Sequence, residues 1–364
     1  MKNKKKAAST ALAGLLAAVT VVLAAALVFG ACKKGAGSAA GGAAEVTRKG
    51  IVTYDFELQT APDAKHAVLF TPVPLSDANQ DISELTFNGN YSRCSIKENA
   101  AKKTTYLAAE WDNITETPKL SFSFHVDSHY KKGDALQDGG ADIPADVKPY
   151  LEANMYIPCE DKTITADAAE AAANAATLLD KARGVYDWTI SHTFRDPDVK
   201  GCGLGRAIET LTEARGGGKC ADISSVFVTV LRAAGVPARD VFGLRTGGKD
   251  GEISGDFHCW TEFYLPGRGW VQADPADVRK AMLLEKLELG DAKTKEWTEF
   301  FWNGDNLFRI ALNRGDRGMV FDPAQQGEPL EYFMYPFAQV DGKTLDYFSP
   351  NEFKYKVSFK GSME

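Results

Sequence analysis

Residues 216–243 read GGGKCADISSVFVTVLRAAGVPARDVFG, and this stretch decides the fold. After three glycines and Lys219, apolar residues recur at positions 223, 226, 227, 230, 231 and 234, which is the spacing of one buried helical face. Gly235 and Pro237 then end the pattern. The sequence therefore predicts a buried helix whose first residue is Cys220.

A cysteine at the first residue of a helix occupies a position that suits a nucleophile. The unpaired backbone N–H groups and the helix dipole stabilise the thiolate there and lower the pKa of the thiol. The same amides can bind an oxyanion, and the glycines before Cys220 leave the thiol uncovered. A small buried cysteine that only packs is the alternative, and this stretch alone does not separate the two.

A second informative stretch, DFHCWTEFYLPGRGWVQADPA, covers residues 256–276. The alternation over residues 257–264 predicts a strand, Leu-Pro-Gly at 265–267 predicts a turn, and residues 270–274 predict the return strand. The stretch is thus expected to form a β-hairpin.

The predicted register of this hairpin sets His258 opposite Asp274. A three-residue loop would pair Tyr264 with Arg268, and counting back along the strands puts the histidine and the aspartate on the same face. A bulge in the turn would shift this register by one residue. A base beside an orienting carboxylate is the second half of a Cys-His-Asp triad, with Cys220 as the first.

The two residues after His258 receive separate predictions from the same alternation. Cys259 points to the opposite face and is expected in the core. Trp260 shares the face of His258, where it either lines a substrate channel or packs against the histidine. Because no CxxC or HxxxH spacing lies near these residues, we expect no metal there.

The start of the chain has the pattern of an export signal, in which MKNKKK precedes the uncharged run ALAGLLAAVTVVLAAALVF. Gly30 and Ala31 before Cys32 resemble a bacterial lipobox, although Phe29 and Gly30 depart from the usual Leu-Ala/Ser pattern. We therefore predict that residues 1–31 are removed and that Cys32 carries a lipid. An uncleaved transmembrane anchor is the alternative, since the run is long enough to span a bilayer. Either way the remaining chain is exported.

Charge and cysteine count limit the function further. The formal net charge is −7, and loss of four lysines with the leader leaves −11, which argues against a nucleic-acid partner. Acylation of Cys32 leaves an odd number of cysteines, so at least one thiol stays free in an exported protein. The five are Cys94, Cys159, Cys202, Cys220 and Cys259.

The region between the leader and the helix divides into three parts. Residues 32–45, rich in Gly, Ala and Ser, predict a flexible tether. Residues 46–145 contain short β-branched and aromatic runs between turn residues, which predicts an antiparallel β-sandwich. A helical pattern then begins with Thr165 as the N-cap and continues to His192.

The order of three motifs, GKCAD, GVPARDVFG and HCWTEFYLPGRGWVQADPA, resembles the bacterial transglutaminase-like domain, a relative of papain-type cysteine proteases. That family carries its nucleophile in a GxCxD segment, its catalytic histidine in His-Ala-Trp, and an Asp-Pro after the return strand. Cys220, His258 and Asp274 match the three catalytic positions, and Cys259 replaces the usual alanine. The aspartate and arginine of the first two motifs, Asp222 and Arg239, are expected to support structure.

The resemblance implies an α+β fold, with the N-terminal sandwich followed by a papain-like domain whose antiparallel sheet packs against the nucleophile helix. It assigns residues 146–364 to this second domain, with a core over 165–280 and a completion over 281–364.

The implied function is thiol chemistry on a peptide or protein amide, here at the cell envelope and without a cofactor. Hydrolysis is favoured over amine transfer to protein glutamine because water is the default acceptor. The alternative from another class is a surface binding module that kept the fold and lost its activity. The intact Cys220, His258 and Asp274 speak against it.

Overall fold

The structure, a computed structural model, describes residues 46–130, 135–247, 250–304, 308–314 and 317–363. The predicted leader, the lipidation site Cys32 and the tether lie outside the described residues. In the described ranges, no helix is long and apolar enough to cross a membrane.

Strands and helices follow one another in a mixed order. The strands are β1 (Val46–Leu58), β2 (His66–Pro72), β3 (Gln80–Gly89), β4 (Arg93–Asn99), β5 (Thr104–Asp112), β6 (Lys119–Tyr130), β7 (Phe194–Arg195), β8 (Gly217–Gly218), β9 (Ala238–Arg245), β10 (Gly251–Glu252), β11 (Phe257–Leu265), β12 (Gly269–Ala273), β13 (Arg309–Arg314), β14 (Phe337–Val340), β15 (Lys343–Thr344) and β16 (Phe353–Met363). The α-helices are α1 (Lys162–Ala171), α2 (Leu178–His192), α3 (Ala207–Thr212), α4 (Cys220–Ala233), α5 (Pro275–Glu285) and α6 (Ala292–Phe301).

The predicted α+β class is confirmed, and its β-rich part consists of two antiparallel sheets. Their strand orders are β10-β16-β1-β6-β3 and β15-β14-β2-β5-β4. Buried side chains alternate along β1 and β6, as expected when one face of a sheet is covered. These side chains share one core with apolar residues of β2 and β5.

The C-terminal strands differ from the expectation that residues 281–364 complete the second domain. Strand β16 pairs with β1 from Arg48↔Met363 to Leu58↔Phe353, and β14 pairs with β2. Of the C-terminal strands in the described ranges, only β13 joins the sheet of the second domain. The long strand β1 would otherwise expose one edge of unpaired backbone groups, and β16 covers that edge.

The third sheet, of order β12-β11-β9-β13, supports the helix that begins at Cys220. Helix α4 packs against β11 and β9, and its residues from Cys220 to Arg232 are all buried. The predicted packing of the helix that begins at Cys220 on an antiparallel sheet is therefore confirmed.

The expected single helix from Thr165 to His192 is two helices in the structure. Asp161 caps α1, so Thr165 lies inside that helix, and Thr177 forms a capping box with Asp180 at the start of α2. The break lets α1 fold back onto α2, where Gly184 is so close to α1 that an added Cβ would lie 2.3 Å from a backbone carbonyl oxygen. This tertiary contact is invisible to local periodicity.

Candidate active site

The loop before Cys220 is fixed by backbone pairing and by one aspartate. Strand β8 pairs in parallel with β7, which sets Gly218 beside Arg195. The carboxylate of Asp222 accepts hydrogen bonds from the N–H of Lys219 at 2.9 Å and from that of Gly205 at 2.8 Å. An added Cβ at Gly218 would lie 2.5 Å from the Asp222 side chain, so only glycine fits. Asp222 thus supports the loop, in agreement with its predicted structural role.

The thiol of Cys220 is buried, with 2% of the residue exposed. Its pKa lies well below the usual value because hydrogen bonds from Cys202 and Cys259 stabilise the thiolate. Burial acts in the opposite direction, and His258 adds a further lowering contribution. The thiol predicted to be reactive is therefore the one whose surroundings favour its anionic form.

Local positive charge accompanies this thiol. Lys219 and Lys280 are partly exposed, and Cys220 is among the groups that act on the pKa of each. The pKa of Lys280 is lowered to about 8, first by Arg245 and then by burial. In a chain of net charge −7, this patch favours an anion at Cys220.

His258 and Asp274 lie in direct contact. The Nε2 atom of His258 is 2.7 Å from Oδ2 of Asp274, and the two side chains are 1% and 2% exposed. A carboxylate only accepts, so Nε2 carries the proton and donates it. That tautomer leaves Nδ1 unprotonated as a base.

The route by which Asp274 reaches His258 differs from the predicted register. In the observed hairpin Tyr264 pairs with Trp270 and Thr261 with Ala273, two residues away from the prediction. The shift of two keeps each side chain on its predicted face. Strand β12 ends at Ala273, and Asp274 is the N-cap of α5, where its Oδ1 accepts from the N–H of Asp277 at 2.8 Å. The capped helix end, not a cross-strand pair, holds the carboxylate against the histidine.

The Nδ1 atom of His258 faces no hydrogen-bond partner among the described residues. The ring is nevertheless close enough to Cys220 to lower the pKa of that thiol. The three predicted site residues are thus brought together, with the histidine between the thiol and the carboxylate.

Three charged residues beside this group were missed from the sequence. Arg309 donates to Asp274 at 2.5 Å and to Asp277 at 2.8 Å, and Arg245 also binds Asp277. Although burial by itself raises the pKa of Asp277, Arg245 followed by His258 and Arg309 hold it well below its usual value. In the sequence, the Asp-Pro-Ala-Asp spacing was a signal for Asp277. Arg309 and Arg245 had no comparable signal, because Arg309 lies in another strand and Arg245 lies at the end of β9.

Cys220 is also one of three clustered cysteines, which the sequence did not predict. The Sγ atoms of Cys202, Cys220 and Cys259 lie within 4.8 Å of one another, and all three residues are buried. Cys259 is in the core as predicted, yet it lies beside the proposed nucleophile. None of the five cysteines in the described part of the chain forms a disulfide.

The surroundings of Trp260 are those of a packed residue. It is 1% exposed, and its ring stacks with that of His258 at a centroid distance of 6.0 Å. The guanidinium of Arg309 lies 5.2 Å from the ring centroid, and an added Cβ at Gly243 would be 2.7 Å from the indole. Trp260 therefore packs against the histidine in this structure, and its role as a channel residue stays a prediction.

Among the described residues, two groups of side chains have ligand atoms close enough to hold a metal ion. One is the cysteine cluster, whose sulfurs suit a soft metal. The other is His258 with Asp274 and Asp277, where two guanidinium groups already supply the positive charge that a cation would bring. The second group is therefore better suited to orienting a histidine than to binding a dication.

Comparison with known proteins matches the segment that contains Cys220, His258 and Asp274. Residues 165–275 match the profile of the Transglutaminase-like superfamily. An uncharacterized protein from Haemophilus influenzae is 30% identical over 330 residues, covering 83% of this chain and 88% of the relative.

The chain contains a transglutaminase-like domain. The fold of this transglutaminase-like chain is similar to that of a candidate cysteine protease from Cytophaga hutchinsonii, with a TM-score of 0.56 over 86% of this chain and 98% of that one. At 16% identity this likeness shows the fold alone. A shorter match is to a protein-glutamine gamma-glutamyltransferase from Pseudomonas aeruginosa, which is 36% identical over 87 residues; the match covers 21% of this chain and 13% of that protein.

Proposed function

We propose that this transglutaminase-like chain is a thiol enzyme that cleaves peptide or protein amides through an acyl-enzyme at Cys220. The observation that carries the proposal is the low pKa of the Cys220 thiol at the start of a buried helix, beside an imidazole held by a buried aspartate. A packing cysteine needs neither feature.

The geometry supports a sequence of proton transfers. Nδ1 of His258 takes the thiol proton, and the Cys220 sulfur attacks the carbonyl carbon of the amide. The imidazolium then protonates the leaving amine, while Asp274 holds Nε2 and stabilises the positive ring.

The oxyanion formed by this attack also has a candidate donor. Cys220 is the first residue of α4, so its N–H has no acceptor within the helix, whereas the next N–H, of Ala221, donates to the Cys202 carbonyl at 2.9 Å. We assign the N–H of Cys220 to the oxyanion.

The test is site-resolved alkylation with iodoacetamide near neutral pH, read by peptide mapping. Cys220 is expected to react faster than the other four cysteines, and His258→Ala is expected to slow it. Arg239→Lys is a matched control, because Arg239 pairs with Glu262 and has no contact with Cys220 in the structure's described part. Slow labelling of Cys220, or a rate independent of His258, contradicts the proposal.

Hydrolysis and amine transfer share the acyl-enzyme, so the triad does not separate them. Hydrolysis is favoured because Trp260, the candidate for a water-excluding channel, is packed away. The match to a protein-glutamine gamma-glutamyltransferase supports the second candidate. Incubation with a glutamine-containing protein and a fluorescent primary amine distinguishes the two reactions. Cys220-dependent incorporation of the amine without chain cleavage would favour amine transfer over hydrolysis.

The location at the cell envelope is part of the same proposal. It rests on the leader-like residues 1–31 and on Cys32, which would tether the enzyme near envelope peptides. Labelling with a palmitate analogue is expected to be lost in Cys32→Ser. Mass spectrometry that finds residues 1–31 still attached would instead support the transmembrane anchor.

A further inference from the structure

The cysteine cluster has a chemistry that the proposed function does not use. Amide cleavage needs one thiol, but this chain buries two more beside it, with exposures of 5% for Cys202 and 0% for Cys259. We propose that Cys220 and Cys202 form a site of reversible oxidation, in which a hydroperoxide converts the pair to a disulfide and reduction restores the thiol.

The backbone places Cys202 to act as the resolving cysteine. Its carbonyl oxygen accepts the N–H of Ala221, so the two chain segments are adjacent. Gly201 and Gly203 flank it at φ values of +59° and +91°, so the loop uses conformations open mainly to glycine. The Sγ atoms start within 4.8 Å and must approach to about 2.05 Å, which a side-chain rotation with a small loop movement can supply.

Cys259 is a poorer partner because its backbone is fixed. It pairs with Phe242 in the middle of the sheet, and its carbonyl accepts from Ser224 on α4. Its thiol lies 3.7 Å from the sulfur of Met334. Bringing its sulfur to bonding distance would distort the β9–β11 ladder, whereas Cys202 lies in a loop.

The chemistry balances in two steps. With hydrogen peroxide, the Cys220 thiolate attacks one oxygen, the O–O bond breaks, and the departing hydroxide takes the proton that the Cys220 thiol released, which gives water and a sulfenic acid; an organic hydroperoxide releases its alcohol instead. The sulfur of Cys202 then attacks the Cys220 sulfur, the S–S bond forms, and hydroxide leaves with the Cys202 proton as a second water. Two thiols and one hydroperoxide thus give one disulfide, and a dithiol reductant reverses it.

The first step also favours the second. The pKa of Cys202 is raised chiefly by its hydrogen bond to Cys220, with burial and the Cys220 charge adding to it. Oxidation of Cys220 to a neutral sulfenic acid therefore removes two causes that raise the pKa of Cys202, while the burial of that thiol remains.

The experiment uses the full chain treated with hydrogen peroxide and then digested with trypsin without reduction. The three cysteines fall on separate peptides: GCGLGR for Cys202, CADISSVFVTVLR for Cys220 and DGEISGDFHCWTEFYLPGR for Cys259. The expected product joins the first two and has lost two hydrogens. A link from Cys220 to the Cys259 peptide, or Cys220 found only as sulfinic or sulfonic acid, overturns the proposal.

Recovery gives a second measurement. After peroxide and then a dithiol, Cys220 in the wild type is expected to regain most of its iodoacetamide labelling, while Cys202→Ser regains at least fivefold less. Cys259→Ser is the matched control and should recover as the wild type does, each variant being compared with its own untreated sample. Equal recovery in Cys202→Ser contradicts the proposal.

These readouts also separate this inference from the proposed function. If Cys202→Ser does not fold by circular dichroism, the wild-type peptide map alone decides. If Cys220 is labelled quickly but forms no disulfide with Cys202, the redox proposal is contradicted and the proposed function is not. If Cys220 is not labelled at all, both the redox proposal and the proposed function are contradicted.

Discussion

Replacing Arg309 with methionine tests whether the buried charges behind His258 hold the site together. The Arg309 side chain is 3% exposed, and it binds Asp274 and Asp277, which are 2% and 9% exposed. Methionine keeps the apolar stem but leaves two buried carboxylates with Arg245 as the remaining guanidinium. Removing one partner of a buried ion pair costs about 3–5 kcal/mol, because the charge left behind stays out of water.

The matched control is Arg206→Met, since Arg206 also binds two carboxylates but lies on the surface. Its side chain is 46% exposed, and it binds Glu331 at 2.5 Å and Glu209 at 3.1 Å. Exposed pairs of this kind contribute about 0.2–1 kcal/mol. The two substitutions therefore remove the same chemistry and differ in burial.

Urea unfolding of both variants measures the difference. Arg309→Met is expected to lower the free energy of unfolding by about 3–5 kcal/mol, and Arg206→Met by no more than about 1 kcal/mol. At about 1 M salt, where the Debye length is about 3 Å, the small effect of Arg206 should fade while that of Arg309 persists. Equal losses in the two variants would refute the view that burial makes the Arg309 network structural.

The remaining predictions concern pH and packing. The folded-state pKa of Asp277 lies well below its usual value, so the ionised carboxylate stabilises the fold above its unfolded pKa of about 3.9, and this contribution is lost on acidification below that value. Asp277→Asn should therefore flatten the fall in unfolding free energy between about pH 5 and pH 2. An unchanged slope contradicts this. Alkylation of Cys220 should vary little from about pH 6.5 to 8.5, whereas that of Cys94, whose pKa burial raises to about 12, should rise with every pH unit; parallel profiles would argue against a thiolate at Cys220. Gly184→Ala should lower the melting temperature, because the added Cβ meets the α1 backbone, even though alanine favours a helix over glycine by about 1 kcal/mol. Gly290→Ala is the control: its Cβ would enter open space, and the melting temperature should stay unchanged.

The sequence by itself determined the features that depend on local pattern. Helical spacing after Lys219 predicted a buried helix that begins at Cys220, and the alternation around His258 predicted a strand. These predictions succeeded because a side chain's face follows from the period of its own element. The contact of His258 with Asp274 was predicted although the register was wrong by two residues, and the structure makes it in another way: Asp274 follows the return strand and caps α5.

Only the tertiary structure decided which distant segments meet. Arg309 is 51 positions from His258 in the numbering and belongs to a strand with no motif, so nothing local links it to Asp274. Cys202 lies in a glycine loop whose approach to Cys220 depends on the packing of that loop against α4. The edge of β1 takes the last strand of the chain as its partner. Such pairings are fixed by which surfaces are buried together, and a single sequence carries no period or spacing that records them.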